Sequence, residues 1–146
     1  MITTFLPCRL GSERIPNKNT KDFSGVKGGL LTIKLKQLLS VKLIDKIILS
    51  SNDPEVLDIG SKLSKEIVLD ERPENLALSS TSTDDLIKYI PSIISEGHIL
   101  WTHTTSPFIV KNLYNEAILT YVKKINDGNN DSLMSVNKIQ SYLWFE

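Results

Sequence analysis

Cys8 is the only cysteine in the chain, so no disulfide can form within it. That absence fits a reducing, cytoplasmic setting rather than an oxidising compartment. Net charge is missing too, since 17 Lys and Arg residues balance 17 Asp and Glu residues. Broad nucleic-acid binding normally shows as a basic domain, so nucleic acid is not an expected partner. No apolar run approaches the ~20 residues of a membrane span, and no membrane association is expected. The first residues lack a basic stretch ahead of an apolar one, so no secretory leader is expected. Repeats and low-complexity linkers are absent, and 146 residues suit one domain with a real core.

Two familiar phosphate-binding motifs are lacking as well. A P-loop needs G-x-x-x-x-G-K-[ST], but counting on from Gly11 puts Pro16 where the second glycine belongs. Proline has no N–H to offer a phosphate. No G-x-G-x-x-G occurs, and Gly25, Gly28 and Gly29 are wrongly spaced for one.

What the chain does have is a short apolar run, Ile2 to Leu6, that empties into Pro7-Cys8-Arg9-Leu10-Gly11-Ser12-Glu13-Arg14-Ile15-Pro16-Asn17-Lys18-Asn19. Between positions 9 and 27 stand Arg9, Arg14, Lys18, Lys21 and Lys27 against only Glu13 and Asp22. A strand that opens into a cationic loop is how an α/β sheet presents a phosphate site. Phosphate binding here would use side chains, arginine as a fork and lysine as a point charge. A solvated basic loop without function is the competing account.

Apolar runs and helical periods alternate along the rest. Strands are expected at Ile2–Leu6, Lys46–Ser51, Glu66–Leu69, His98–Thr102 and Ser132–Val136, and helices at Leu31–Ser40, Pro54–Leu63, Asp84–Ser95 and Asn112–Lys124. Asp53-Pro54-Glu55 reads as an N-cap, an N1 proline and a first-turn acid. Ser82 to Asp85 reads as a capping box, whereas Val110 is a poor cap for the fourth helix. Strand–helix alternation implies right-handed crossovers and a mainly parallel sheet, a Rossmann-like α/β three-layer sandwich. The carboxyl ends of its strands would gather Arg9, the Ser50–Asp53 turn, Arg72 and the Thr102–Ser106 run around one crevice.

With those residues in view, the Pro7–Asn19 loop resembles the N-terminal signature of the sugar-acid cytidylyltransferases. These are the CMP-sialic acid synthetases, or acylneuraminate cytidylyltransferases, and their relatives that activate KDO and other nonulosonic acids. Arg9, Ser12, Pro16, Lys18 and Asn19 fall on the family pattern, with Cys8 in place of its alanine. Ile47 to Asp53 resembles the second strand and its Ser-Thr-Asp end. Arg72-Pro73-Glu74-Asn75-Leu76-Ala77 matches the Arg-Pro-x-x-Leu-Ala segment. Leu100 to Phe108 resembles Leu-Leu-Gln-Pro-Thr-Ser-Pro-Leu, and Met134-Ser135-Val136 looks like the strand that follows. Three positions depart from the pattern: Ser79 for an aspartate, His103 for a glutamine and Ile109 for an arginine.

The resemblance implies transfer of CMP from CTP to a sialic-acid-like sugar acid, releasing pyrophosphate, for bacterial surface polysaccharide synthesis. It implies Mg²⁺ as cofactor and CTP and a sugar acid as partners. Arg9 and Lys18 would act on the triphosphate as the catalytic cations. Pro7, Cys8, Ser12, Asn19, Arg72, Ser80 and Thr81 would complete the nucleotide site. His103, Thr104, Thr105 and Ser106 would face the sugar acid. Structural accounts compete for several of these: an ion pair with Asp70, Glu71 or Glu74 for Arg72, and helix-entry chemistry for Ser80 and Thr81. Residues 1–146 read as the nucleotide-binding portion of such an enzyme. The metal-holding aspartates and the arm of a homodimer would lie beyond it, and no Asp-x-Asp occurs within it. Two alternatives stay open: a truncated or degenerate nucleotide-binding module without turnover, and another sugar nucleotidyltransferase.

Overall fold

The computed structural model describes residues 1–11 and 15–136. Four strands form its sheet: β1 (Ile2–Pro7), β2 (Lys46–Ser51), β3 (Ile67–Glu71) and β4 (His98–Trp101). Four α-helices alternate with them: α1 (Gly29–Leu39), α2 (Pro54–Leu63), α3 (Thr83–Tyr89) and α4 (Lys111–Asn126). The strand order is β3-β2-β1-β4 and all pairings are parallel. Phe5 therefore sits opposite Ile48 on one side and Trp101 on the other.

Side chains alternate across the strands and serve two cores. Ile2 and Leu6 of β1 pack with Leu31, Leu35 and Leu38 of α1, Val56 of α2 and Tyr114 and Ile118 of α4. Phe5 points the other way, onto Ile48, Ile90 and Ile94, with Trp101 set edge-on at 5.2 Å between ring centroids. Helical layers on both faces of a parallel sheet make the expected three-layer α/β arrangement.

The caps read from the sequence are present. Asp53 Oδ1 accepts from Glu55 N–H at 3.0 Å ahead of Pro54. Ser82 and Asp85 close a capping box, with Ser82 Oγ accepting from Asp85 N–H and Asp85 Oδ2 from Ser82 N–H, both at 3.1 Å. These bonds to Ser82 hold the Asp85 carboxyl below its usual pKa. Val110 precedes α4 without any side-chain cap.

Several boundaries differ from expectation: β1 runs to Pro7, α1 spans Gly29–Leu39 rather than Leu31–Ser40, β4 ends at Trp101, and α3 and α4 start one residue early, at Thr83 and Lys111. The third strand lies at Ile67–Glu71 rather than Glu66–Leu69, because its register is set by pairing with β2 through Ser51 and Glu71. The helix expected over Asp84–Ser95 stops at Tyr89 and continues as a 3₁₀ turn over Ile90–Ser92. Pro91 carries no N–H for an α-helical bond, which explains the change. The fourth helix runs on past Lys124 to Asn126. Residues 132–136, expected as a fifth strand, are exposed and irregular. An apolar run becomes a strand only when another strand satisfies its backbone, and none of the described strands pairs with it.

Candidate active site

The order β3-β2-β1-β4 makes the gap between β1 and β4 the switch point of the sheet, where connections depart in opposite directions. Ligands of open parallel sheets bind in the crevice at the carboxyl ends of the strands beside such a point. Ladder bonds extend past the strand ends and fix what enters that crevice. Cys8 N–H donates to Ser50 O at 2.9 Å, Thr102 N–H to Phe5 O at 3.2 Å, and Arg72 N–H to Ser51 O at 2.9 Å.

From Pro7, the last residue of β1, the chain passes Cys8, Arg9 and Leu10 in that crevice. Cys8 is 2% exposed, and burial pushes its thiol up to about 12, with Asp53 adding to the rise. A thiol held neutral acts here as a small apolar residue packed with the α1 core. Arg9 and Lys18 are both half-buried. Leu10 N–H donates to Asn52 Oδ1 at 2.9 Å, and Asn52 Nδ2 donates to Glu74 Oε2 at 3.2 Å. One amide side chain thus ties the β1 loop to the segment after β3. Ser12 lies outside the described residues.

The basic loop returns to the sheet through tight turns. Asn17, at φ 51°, accepts the N–H groups of both Thr20 and Lys21 through its carbonyl. Asn19 then bonds in two directions. Its carbonyl accepts from Leu31 N–H at 2.9 Å, and its Oδ1 accepts from Thr104 Oγ1 at 2.8 Å. The second bond joins the loop after β1 to the loop after β4 across the switch point.

On the far side of that bond, Thr104 is buried while His103 and Thr105 are exposed and Ser106 is half-buried. His103 lies beside Trp101, ring centroids 6.2 Å apart, and desolvation lowers its pKa. A neutral imidazole can both donate and accept toward a hydroxylated ligand. Arg72 is 4% exposed, and none of the described carboxylates lies within ion-pair distance of it. It donates through Nε to Ser50 Oγ at 3.0 Å and through Nη2 to Ser50 O. Burial lowers its pKa, and the charge of Asp70 opposes that shift. The ion pair weighed for it from the sequence is replaced by a clasp on the end of β2. Ser80 is exposed, and the hydrogen bonds of Thr81 stay local, to Asn75 O and Leu78 O.

The roles of two side chains around the crevice escaped sequence reading, although the Ser50–Asp53 turn had already placed Asn52 there. Lys34 is fully buried under the β4–α4 loop, and its Nζ donates to Tyr114 Oη and Ser106 O. The signal was there: Leu31, Lys34, Leu35 and Leu38 share the i, i+3, i+4, i+7 spacing of one helix face. Asn52 offered no such signal, because its bridging role depends on two separate loops.

The fold and this crevice define a parallel, Rossmann-like α/β sheet with a cationic loop at its switch point. The cytidylyltransferase family model matches residues 3–142, and the chain belongs to that family. It is 27% identical over 123 residues to the pseudaminic acid cytidylyltransferase of Campylobacter jejuni subsp. jejuni serotype O:23/36 (strain 81-176). That match covers 81% of this chain and 52% of the relative. Its counterpart in serotype O:2 (strain ATCC 700819 / NCTC 11168) is 25% identical over the same coverage. The chain spans about half the length of these relatives. Among solved structures, a CMP:2-keto-3-deoxy-manno-octonic acid synthetase complexed with CTP superposes with a TM-score of 0.63 at 16% identity, over 86% of this chain and 47% of that one. A cytidylyltransferase from Leptospira borgpetersenii serovar Hardjo-bovis gives 0.60 at 16% identity, over 84% and 49%. At these identities the superpositions establish the nucleotidyltransferase fold.

Proposed function

We propose that this chain carries the nucleotide half-site of an enzyme that transfers CMP from CTP to a nonulosonic acid of the sialic or pseudaminic type. The observation that carries the reading is the Asn19–Thr104 bond, which brings the cationic loop and the hydroxyl-bearing loop together at the switch point. A triphosphate needs the first and a polyhydroxylated acid the second. In the proposed reaction a sugar-acid hydroxyl attacks the α-phosphorus and pyrophosphate leaves. Arg9 and Lys18 supply fixed positive charge where phosphoryl charge develops. His103, Thr105 and Ser106 supply hydrogen bonds to the acid, and Thr104 keeps their loop seated against Asn19.

Mg²⁺ is part of this proposal, but the described residues do not by themselves fit a site for it. Among them no three His, Cys, Asp or Glu side chains cluster as ligands. An ion arriving with CTP would be held by phosphate oxygens and by carboxylates outside the described residues. No helix among the described residues is long and apolar enough to cross a membrane. A cytoplasmic enzyme supplying surface polysaccharide synthesis is the proposed setting.

The test is thermal stability with CTP, UTP, ATP and GTP, each with and without Mg²⁺, followed by turnover with a panel of sugar acids. A ligand at a hundredfold excess over its Kd stabilises by about 2.7 kcal/mol. A shift selective for CTP is expected, and Arg9→Ala and Lys18→Ala should each reduce it without unfolding the chain, because both lie on a loop. Wild-type CTP binding by both variants would sink the phosphate assignment. CTP binding without turnover would support a nucleotide-binding module instead.

A further inference from the structure

Lys34 is a cation with no anion. It projects from the middle of α1, is fully buried, and no carboxylate among the described residues lies within ion-pair distance. Buried lysines are uncommon even when paired, and desolvation lowers this one to about 8. Its ammonium is satisfied by oxygens of another part of the chain. Nζ donates to Ser106 O at 2.8 Å and to Tyr114 Oη at 2.9 Å, and reaches Ile109 O at 3.5 Å. It also lies 5.0 Å from the centroid of the Tyr114 ring. Tyr114 Oη in turn bonds Thr102 Oγ1 at 2.7 Å, one residue past the end of β4. One turn further along α1, Gln37 Nε2 donates to Pro107 O at 2.6 Å.

These bonds converge on a single segment. Ser106, Pro107 and Ile109 all turn their carbonyls to α1, and Lys34 takes two of the three. Apolar packing contributes little to holding the segment: Ile109 is partly buried against the core, but Phe108 is 89% exposed. The segment from Thr102 to Ile109 includes His103 to Ser106, the face offered to the sugar acid.

We propose that Lys34 is a positioning residue that fixes the acid-side loop, through the carbonyls of Ser106 and Ile109 and through Tyr114 to Thr102. The proposal rests on the functional reading above for what the loop does, but not for what holds it. A methionine at position 34 keeps the volume and removes the donors. Ser106 O would keep the Ile109 N–H at 3.2 Å, and Ile109 O, only half-buried, would turn to water. Removing the buried ammonium also removes its desolvation cost, which offsets the hydrogen bonds lost with it. The expected signature is thus a split between global stability and loop order.

The experiment compares wild type, Lys34→Met and Tyr114→Phe in amide hydrogen exchange, urea unfolding, the CTP-induced thermal shift, and KM for CTP and for pseudaminic acid. In Lys34→Met, the hydrogen-bonded amides of Ser106 and Ile109 should exchange at least tenfold faster while the urea midpoint holds or rises. Tyr114→Phe should loosen Thr102 and Thr104 with a smaller effect at Ser106. The CTP shift and the KM for CTP should stay near wild type, and the KM for the acid should rise severalfold. Unchanged loop exchange in Lys34→Met would overturn the proposal, and so would an equal rise in both KM values. A wild type without CTP shift or turnover would remove the functional reading, yet the exchange comparison would still decide whether Lys34 holds the loop.

Discussion

Cys8 leaves the sheet where β1 ends, and its backbone serves the crevice while its side chain serves the core. The folded thiol stays neutral to about 12 against an ordinary value of 9.0. A group whose folded pKa is raised contributes stability that is whole below the unfolded value and is lost as pH climbs through the folded one. Between pH 9 and 12 the protein should therefore lose about 1 kcal/mol per pH unit on account of Cys8. Cys8→Ala should be free of that component, which urea midpoints of the two proteins at pH 8 and pH 10 would reveal. Equal pH dependence in both would refute the assignment. At this scale the sequence was partly legible. Asn19 and Thr104, which the structure joins, could each be named from a motif, because the residues of one motif lie together along the chain. The Lys34–Tyr114–Thr102 relay could not, because its members meet only after α1 and α4 pack on the same sheet face.

Helices and strands were more legible than single contacts, since periodicity and caps are local properties. β2 follows its expected bounds over Lys46–Ser51, and the Asp53 and Ser82 caps are made by the residues whose chemistry suggested them. Misreadings fall where a distant partner decides. The run at residues 132–136 has strand-forming side chains but pairs with none of the described strands, and α3 yields at Pro91 to a 3₁₀ turn. The entry of α1 is decided by space. Gly29 has φ 49°, and a Cβ there would stand 2.0 Å from Lys21 O. Gly29→Ala should therefore cost at least ~2 kcal/mol, from left-handed backbone strain and displacement of the basic loop. Gly25→Ala is the control: φ is 77° with nothing within 4 Å, so only the backbone cost of ~1 kcal/mol applies. Chemical denaturation of the two variants measures the difference, and equal losses would show that the loop does not press on Gly29.

Across the whole molecule the two faces of the sheet are unequally fastened. α1 buries Leu31, Leu35 and Leu38 in the larger core, whereas α3 buries no residue fully and its face is closed by Ile90 and Ile94 behind it. Local opening follows local burial. Native-state exchange should thus release the amides of α3 at lower free energy than those of α1, and equal protection would contradict this order. The sheet order carries a further consequence, for the order of synthesis. β1 is an inner strand, yet it leaves a ribosome before either of its neighbours. It pairs with β2 at residues 46–51 and with β4 only at residues 98–101. Until then its apolar side chains and at least one bare edge stand open, the condition in which nascent chains stick to one another. The crevice is likewise a late product: the basic loop after β1 is translated early, but it has no Thr104 to close against until β4 has emerged.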